Sequence, residues 1–95
     1  MEELQKLREK IDKLDSQLLE VLAQRFQVTE QIGKIKVANK FPLVDPTREA
    51  AQAARIATLA RTKGVDPKLA QAIQRLIIDN VVVRHQAIAK EFGDE

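Results

Sequence analysis

Apolar side chains recur every three or four residues through the first third of the chain. Positions 4, 7, 11, 14, 18, 21, 25, 28, 32 and 35 read Leu, Leu, Ile, Leu, Leu, Val, Arg, Val, Ile, Ile. This is an unbroken heptad stripe with one exception, Arg25. No Pro or Gly interrupts it before Gly33, so the spacing predicts one helix from Glu3 to Ala38, roughly 50 Å long at 1.5 Å per residue. A globular chain of 95 residues has a radius of gyration of only about 12 Å. The predicted helix therefore overhangs any single-chain globule. Its seam needs a partner, and a second copy of the chain is the simplest one.

Phe41-Pro42 breaks the pattern. Asp45-Pro46 then fits the N-cap and first turn of a second helix, because the N–H that proline lacks would be unpaired there anyway. The second helix runs to Lys63 and stops at Gly64, a left-handed cap. Its alanines (Ala50, Ala51, Ala53, Ala54, Ala57, Ala60) favour helix and permit close approach of a neighbour. Asp66-Pro67 repeats the start signal for a third helix, whose apolar residues Leu69, Ile73, Leu76, Ile77, Val81 and Ile88 keep helical spacing up to Gly93. The Val/Ile-rich run Leu76–Val83 resembles a strand, but no second strand exists to pair with it. The expected fold is all-α: three helices, the first very long, in one domain spanning residues 1–95.

Composition narrows the function. The chain holds 16 Lys+Arg against 14 Asp+Glu, for a net charge of only +2, unlike a polybasic nucleic-acid arm. Three Phe with no Trp or Tyr argue against a base-stacking platform, and no nucleic-acid partner is expected. The absence of Cys and the single His exclude thiol chemistry, cysteine metal sites and a multi-histidine metal site within one chain, so no metal is expected. No apolar run approaches 18 residues and the N-terminus is acidic, so a membrane partner is not expected and the cytoplasm is the expected location.

The near-neutral sum hides a local imbalance. Residues 25–48 hold five cations (Arg25, Lys34, Lys36, Lys40, Arg48) and two anions. Arg25 replaces an aliphatic side chain in a buried stripe, where an unpaired charge would cost several kcal/mol. Either an internal carboxylate compensates it, or its tip reaches solvent, or it grips an anionic ligand bidentately. Lys36 lies about 16 Å further along nearly the same face. Arg8 lies about 25 Å before Arg25 and cannot share a site with it on one rigid helix. In an antiparallel homodimer, Arg8 of one chain falls beside Arg25 of the other. Taken singly, Arg8 and Lys36 also read as solvated-face residues. Asp45 suits a cap and Glu49 suits the helix dipole. Arg48 is less natural at a positive helix end and points to an acidic partner. His85 stands alone beside Arg84. No nucleophile–base pair or phosphate-cradling Gly loop is present, so an enzyme built this way binds an anion and organises charge.

Four segments together resemble a known family, the all-helical chorismate mutases. They are Leu7-Arg8-x-x-Ile11-Asp12-x-x-Asp15-x-x-Leu18-Leu19, Leu22-Ala23-x-Arg25, Ile32-Gly33-x-x-Lys36 and Asp45-x-x-Arg48-Glu49. Each is weak alone; all four in order, with matching spacing over nearly the whole chain, are specific. The resemblance implies an intertwined homodimer whose long first helices pair, with two active sites shared between chains. It implies the cofactor-free rearrangement of chorismate to prephenate, in which a dianion is folded into a reactive geometry and charge on the breaking ether oxygen is stabilised. Arg25 of one chain and Arg8 of the other would then bind the two carboxylates. Lys36 would serve a carboxylate and the ether oxygen. Glu49 would accept from the ring hydroxyl, while Asp45 and Arg48 order that corner. The third helix departs from the family pattern: Val81 and His85 stand where a small polar residue and a Gln or Glu are common. Val81 donates no hydrogen bond. His85 can donate to the ether oxygen through a ring N–H; a one-residue shift in register would bring Gln86 there instead, about 100° further round the helix.

Two relatives of this chemistry share the fold: an isochorismate pyruvate-lyase and a mutase for the amino analogue of chorismate. The lyases tend to lack an acidic residue after the arginine of the second helix, so Glu49 favours the mutase. A non-catalytic helical dimer is the alternative of another class, in which Arg25 pairs with a protein carboxylate and Lys36 is exposed.

Overall fold

Three helices make up the fold of the computed structural model, which describes residues 1–92: α1 Glu2–Ala38, α2 Pro46–Lys63 and α3 Pro67–Phe92. Among the described residues no strand forms, and the Val/Ile-rich run lies inside α3. The start of α1 falls one residue before the sequence expectation. The expected stop at Gly93 lies outside the described residues.

Each helix end has a local cause. At the close of α1 the Asn39 side chain donates Nδ2–H to the Ile35 carbonyl at 2.8 Å. The Phe41 N–H bonds the Lys36 carbonyl at 2.8 Å and the Lys40 N–H bonds that of Val37 at 3.2 Å, while Lys40 takes a φ of 55°. That pair of crossed bonds is a Schellman closure, here built on a lysine. α2 opens on Asp45, whose carboxylate accepts the Arg48 N–H at 3.0 Å, with Pro46 in the first turn. It closes on Gly64 at φ 75°. α3 opens in the same way, with Asp66 accepting the Lys68 N–H at 2.9 Å.

α3 lies between the other two helices and packs on both, whereas α1 and α2 do not pack on each other. The Gln71 amide of α3 donates to the Ala53 carbonyl of α2 at 3.0 Å. On the other side, Arg84 of α3 forks onto both carboxylate oxygens of Glu30 in α1, at 2.9 and 2.7 Å. The buried apolar core among the described residues is small: Ala57, Ala60 and Ile88.

The seam of α1 lies bare along the single chain: Leu7, Ile11 and Leu14 are each 56% exposed and Leu18 66%. The molecule measures 61 × 26 × 14 Å with a radius of gyration of 17.2 Å. Its accessible surface is 7742 Å², against about 5,500 Å² for a compact monomer of this mass. No helix of the described residues is long and apolar enough to cross a membrane.

Candidate active site

The three helices and the α1–α2 connection line an open cavity of about 330 Å³, at the lower end of the range for small-ligand pockets. α1 contributes Arg25, Thr29, Ile32 and Lys36, which share one face because they lie four, three and four residues apart. The connection contributes Leu43, and the start of α2 adds Asp45, Arg48, Glu49 and Gln52. α3 closes the wall with Ile78, Val81, Val82 and His85. The Schellman closure sets the Lys36 backbone in the last turn of α1, and the Asp45 cap sets Arg48 and Glu49 in the first turn of α2.

The charges in this wall are unevenly satisfied. Both carboxylates have structural partners: Asp45 caps α2, and Glu49 Oε1 accepts from Arg75 at 2.8 Å. Arg75 is itself held by Asp79, one turn on, at 2.7 Å. The hydrogen bond to Glu49, and then that to Asp79, push the Arg75 guanidinium above its ordinary range. The three cavity cations differ, because no ion pair among the described residues involves Arg25, Lys36 or Arg48. Arg25 and Lys36 are half-buried, which raises the cost of leaving them unpaired. Three cations facing an apolar wall favour an anion electrostatically, and guanidinium forks suit carboxylates.

His85 is only 3% exposed. Its Nε2 lies 2.8 Å from the Thr29 carbonyl oxygen. A carbonyl only accepts, so Nε2 carries the hydrogen. Nδ1 is buried with no hydrogen-bond partner. Among the described residues no three His, Asp or Glu side chains come together as metal ligands.

The family model for chorismate mutase type II matches residues 7–86. The chain belongs to the chorismate mutase type II family. It is 34% identical over 85 residues to the bifunctional chorismate mutase/prephenate dehydratase of Escherichia coli (strain K12), covering 90% of this chain and 22% of that protein. It is 34% identical over 76 residues to the T-protein of Enterobacter agglomerans, covering 80% of this chain and 20% of that protein. With the chorismate mutase of Methanocaldococcus jannaschii it shares 28% identity over 95 residues, covering 100% of this chain and 92% of that protein. The chain thus spans about a fifth of the length of the bifunctional and T-protein relatives.

Seven of the residues singled out for this chorismate mutase family member line one cavity: Arg25, Lys36, Asp45, Arg48, Glu49, Val81 and His85. Arg8 does not join them. It is exposed on α1, about 25 Å from Arg25 by helical rise. Of the two register alternatives on α3, His85 lines the cavity, whereas Gln86 is exposed and absent from its wall. Thr29 and Gln52 also line it and went unremarked in the sequence. Helical spacing holds the signal for both, since each lies four residues after a cavity arginine, Arg25 and Arg48. Arg75 had no such signal, because it meets Glu49 from another helix.

Proposed function

We propose that this chain is a chorismate mutase, acting in aromatic amino-acid biosynthesis on the route to Phe and Tyr. The observation that carries this reading is the set of three cations without ion-pair partners among the described residues, Arg25, Lys36 and Arg48, around one small-ligand cavity. The rearrangement breaks the ether C–O bond and forms a C–C bond in one pericyclic step, with no net proton or electron transfer. The protein's task is therefore to hold the substrate folded and to meet the charge that builds on the ether oxygen.

Arg25 binds one substrate carboxylate. Lys36 serves a carboxylate and the ether oxygen. Glu49 accepts from the ring hydroxyl through the carboxylate oxygen that Arg75 leaves free, and Asp45 and Arg48 order that corner. Val81 supplies apolar wall, and His85 stands beside the reacting centre.

The active unit is an intertwined homodimer. The bare α1 seam and the excess accessible surface support this, and Arg8 of the partner subunit completes the site. The charges agree: three cations and two carboxylates leave the single-chain cavity at +1, and a third arginine, from the partner subunit, raises it to +2, which matches a dianion.

The test is incubation of the purified chain with chorismate, following loss of its absorbance. Thermal stabilisation by a bicyclic dicarboxylate that mimics the transition state is measured alongside. Turnover and stabilisation are expected. No turnover and no stabilisation would sink the enzyme reading in favour of a non-catalytic helical dimer. Release of pyruvate from isochorismate, with chorismate untouched, would move the assignment to the lyase.

A further inference from the structure

Gly33 sits in the interior of α1, five residues before its end, where glycine is the poorest choice after proline. It is also the one buried residue of that helix. A Cβ built there would fall 2.7 Å from His85 Nε2 and 3.0 Å from Ile88 Cδ1, with His85 Cδ2 closer still. These neighbours do not give way easily: the imidazole is a rigid ring, 3% exposed, and Ile88 is fully buried. The Cδ2–Nε2 edge of His85 thus fills the volume that any other residue's Cβ would take. The same edge donates to the Thr29 carbonyl at 2.8 Å, one helical turn before Gly33.

We infer that Gly33 and Thr29 are positioning residues for His85: the missing Cβ admits the ring against α1, and the Thr29 carbonyl fixes it as the Nε2–H tautomer. Nδ1 is the ring atom opposite the Cδ2–Nε2 edge, so it faces away from α1. It is buried and unpartnered, the one ring atom with unused hydrogen-bonding capacity. The neutral ring can therefore only accept through Nδ1; donating to an ether oxygen requires a second proton there. Any influence on rate rests on the chorismate mutase reading, whereas the placement of the ring does not.

The chain contains a single histidine, so its ring nitrogens are assigned without ambiguity in a 15N–1H long-range correlation spectrum. The wild-type protein is expected to show the Nε2–H pattern, with Nδ1 unprotonated. An Nδ1–H pattern would overturn the proposal without recourse to any variant. Gly33→Ala should lose the pure Nε2–H pattern and lower Tm. In a His85→Ala background the same substitution should cost much less Tm or raise it, because the ring is gone, Ile88 Cδ1 has space to move into, and alanine is the better helix former. If Gly33→Ala lowered Tm by as much in the His85→Ala background as in the parent, the steric argument would fail. In turnover, Gly33→Ala should reduce kcat by up to about 100-fold with little change in KM, since the ring holds no carboxylate. Equal loss in both constants would make Gly33 a general structural residue. A wild-type chain that turns over no chorismate fails the enzyme reading alone, and the spectra and the Tm comparison still decide the positioning.

Discussion

A guanidinium at Arg25 costs the α1 seam an aliphatic contact and gains it no ion pair among the described residues. On the proposed function, its compensation is a substrate carboxylate. Arg25→Ala should cut kcat/KM by roughly 30- to 5,000-fold, the range for truncating one partner of a buried charge pair. Thermal stability of the ligand-free protein should hold or rise, because an unpaired charge leaves a half-apolar seam. Loss of the fold with activity persisting in the residue that remains folded would instead mark a structural arginine. Arg75 acts one step removed. It anchors Glu49 at one carboxylate oxygen and is held in turn by Asp79. Arg75→Ala should raise KM by no more than about fivefold, since the pair is partly solvated, and leave kcat nearly intact. A collapse of kcat with KM constant would refute that role. Arg25 and Lys36 were legible in the sequence from charge and helical spacing, whereas Asp45, Arg48 and Glu49 joined them in one site only through the family resemblance. Arg75 was not legible, because the contact joins residues 26 positions apart, across a helix packing that no local period encodes.

At the scale of the elements, the helices were readable because their start and stop signals act over three or four residues. Asp45-Pro46, Gly64 and Asp66-Pro67 each have the predicted cap geometry. The end of α1 was readable in position but not in mechanism, since Lys40 adopts a left-handed φ that composition would assign to glycine. At Gly64 the space is open, with no atom within 4 Å of a built Cβ. The cost of Gly64→Ala is therefore backbone strain alone, about 1 kcal/mol, visible as a lower Tm at fixed protein concentration. A Tm equal to or above the parent's would show that the turn tolerates an L side chain without strain. The α1–α3 clasp makes a pH prediction. Hydrogen bonding from Arg84 holds the Glu30 carboxyl below its ordinary value of 4.5. A depressed carboxyl adds stability that is fully present above the unfolded-state value and is lost as pH falls through the folded one. Tm should therefore decline below about pH 4.5, and Glu30→Gln should lower Tm at pH 7 while flattening that decline. Superimposable acid limbs for parent and variant would mean that the pair contributes nothing, as many exposed pairs do.

At the scale of the whole molecule, the proposed active unit spans two chains, and its test must do so too. The heptad period predicts that α1 overhangs a single-chain globule along one apolar stripe. The fold gives that stripe its physical size: an elongated body of 17.2 Å radius of gyration with Leu7, Leu14 and Leu18 more than half exposed along it. Rigid helical rise keeps Arg8 about 25 Å from Arg25, so its assignment to the site stands or falls with a second chain. Mixed dimers provide the decisive test. Arg8→Ala and Lys36→Ala homodimers should each be nearly inactive, since every site carries one lesion. In a heterodimer of the two, one site takes Arg8 from the Lys36→Ala chain and Lys36 from the Arg8→Ala chain, and is intact; the other carries both lesions. Random exchange at equal concentrations makes half of the dimers mixed, each with one working site of two. Activity should recover to about a quarter of the parent's per chain, with an unchanged KM because the working site is wild-type. Subunit exchange is verified independently by mass difference. If exchange is complete and activity stays at the level of the separate variants, Arg8 and Lys36 serve the same chain's site or none. The shared-site geometry would then have to be abandoned even if the chain turned over chorismate.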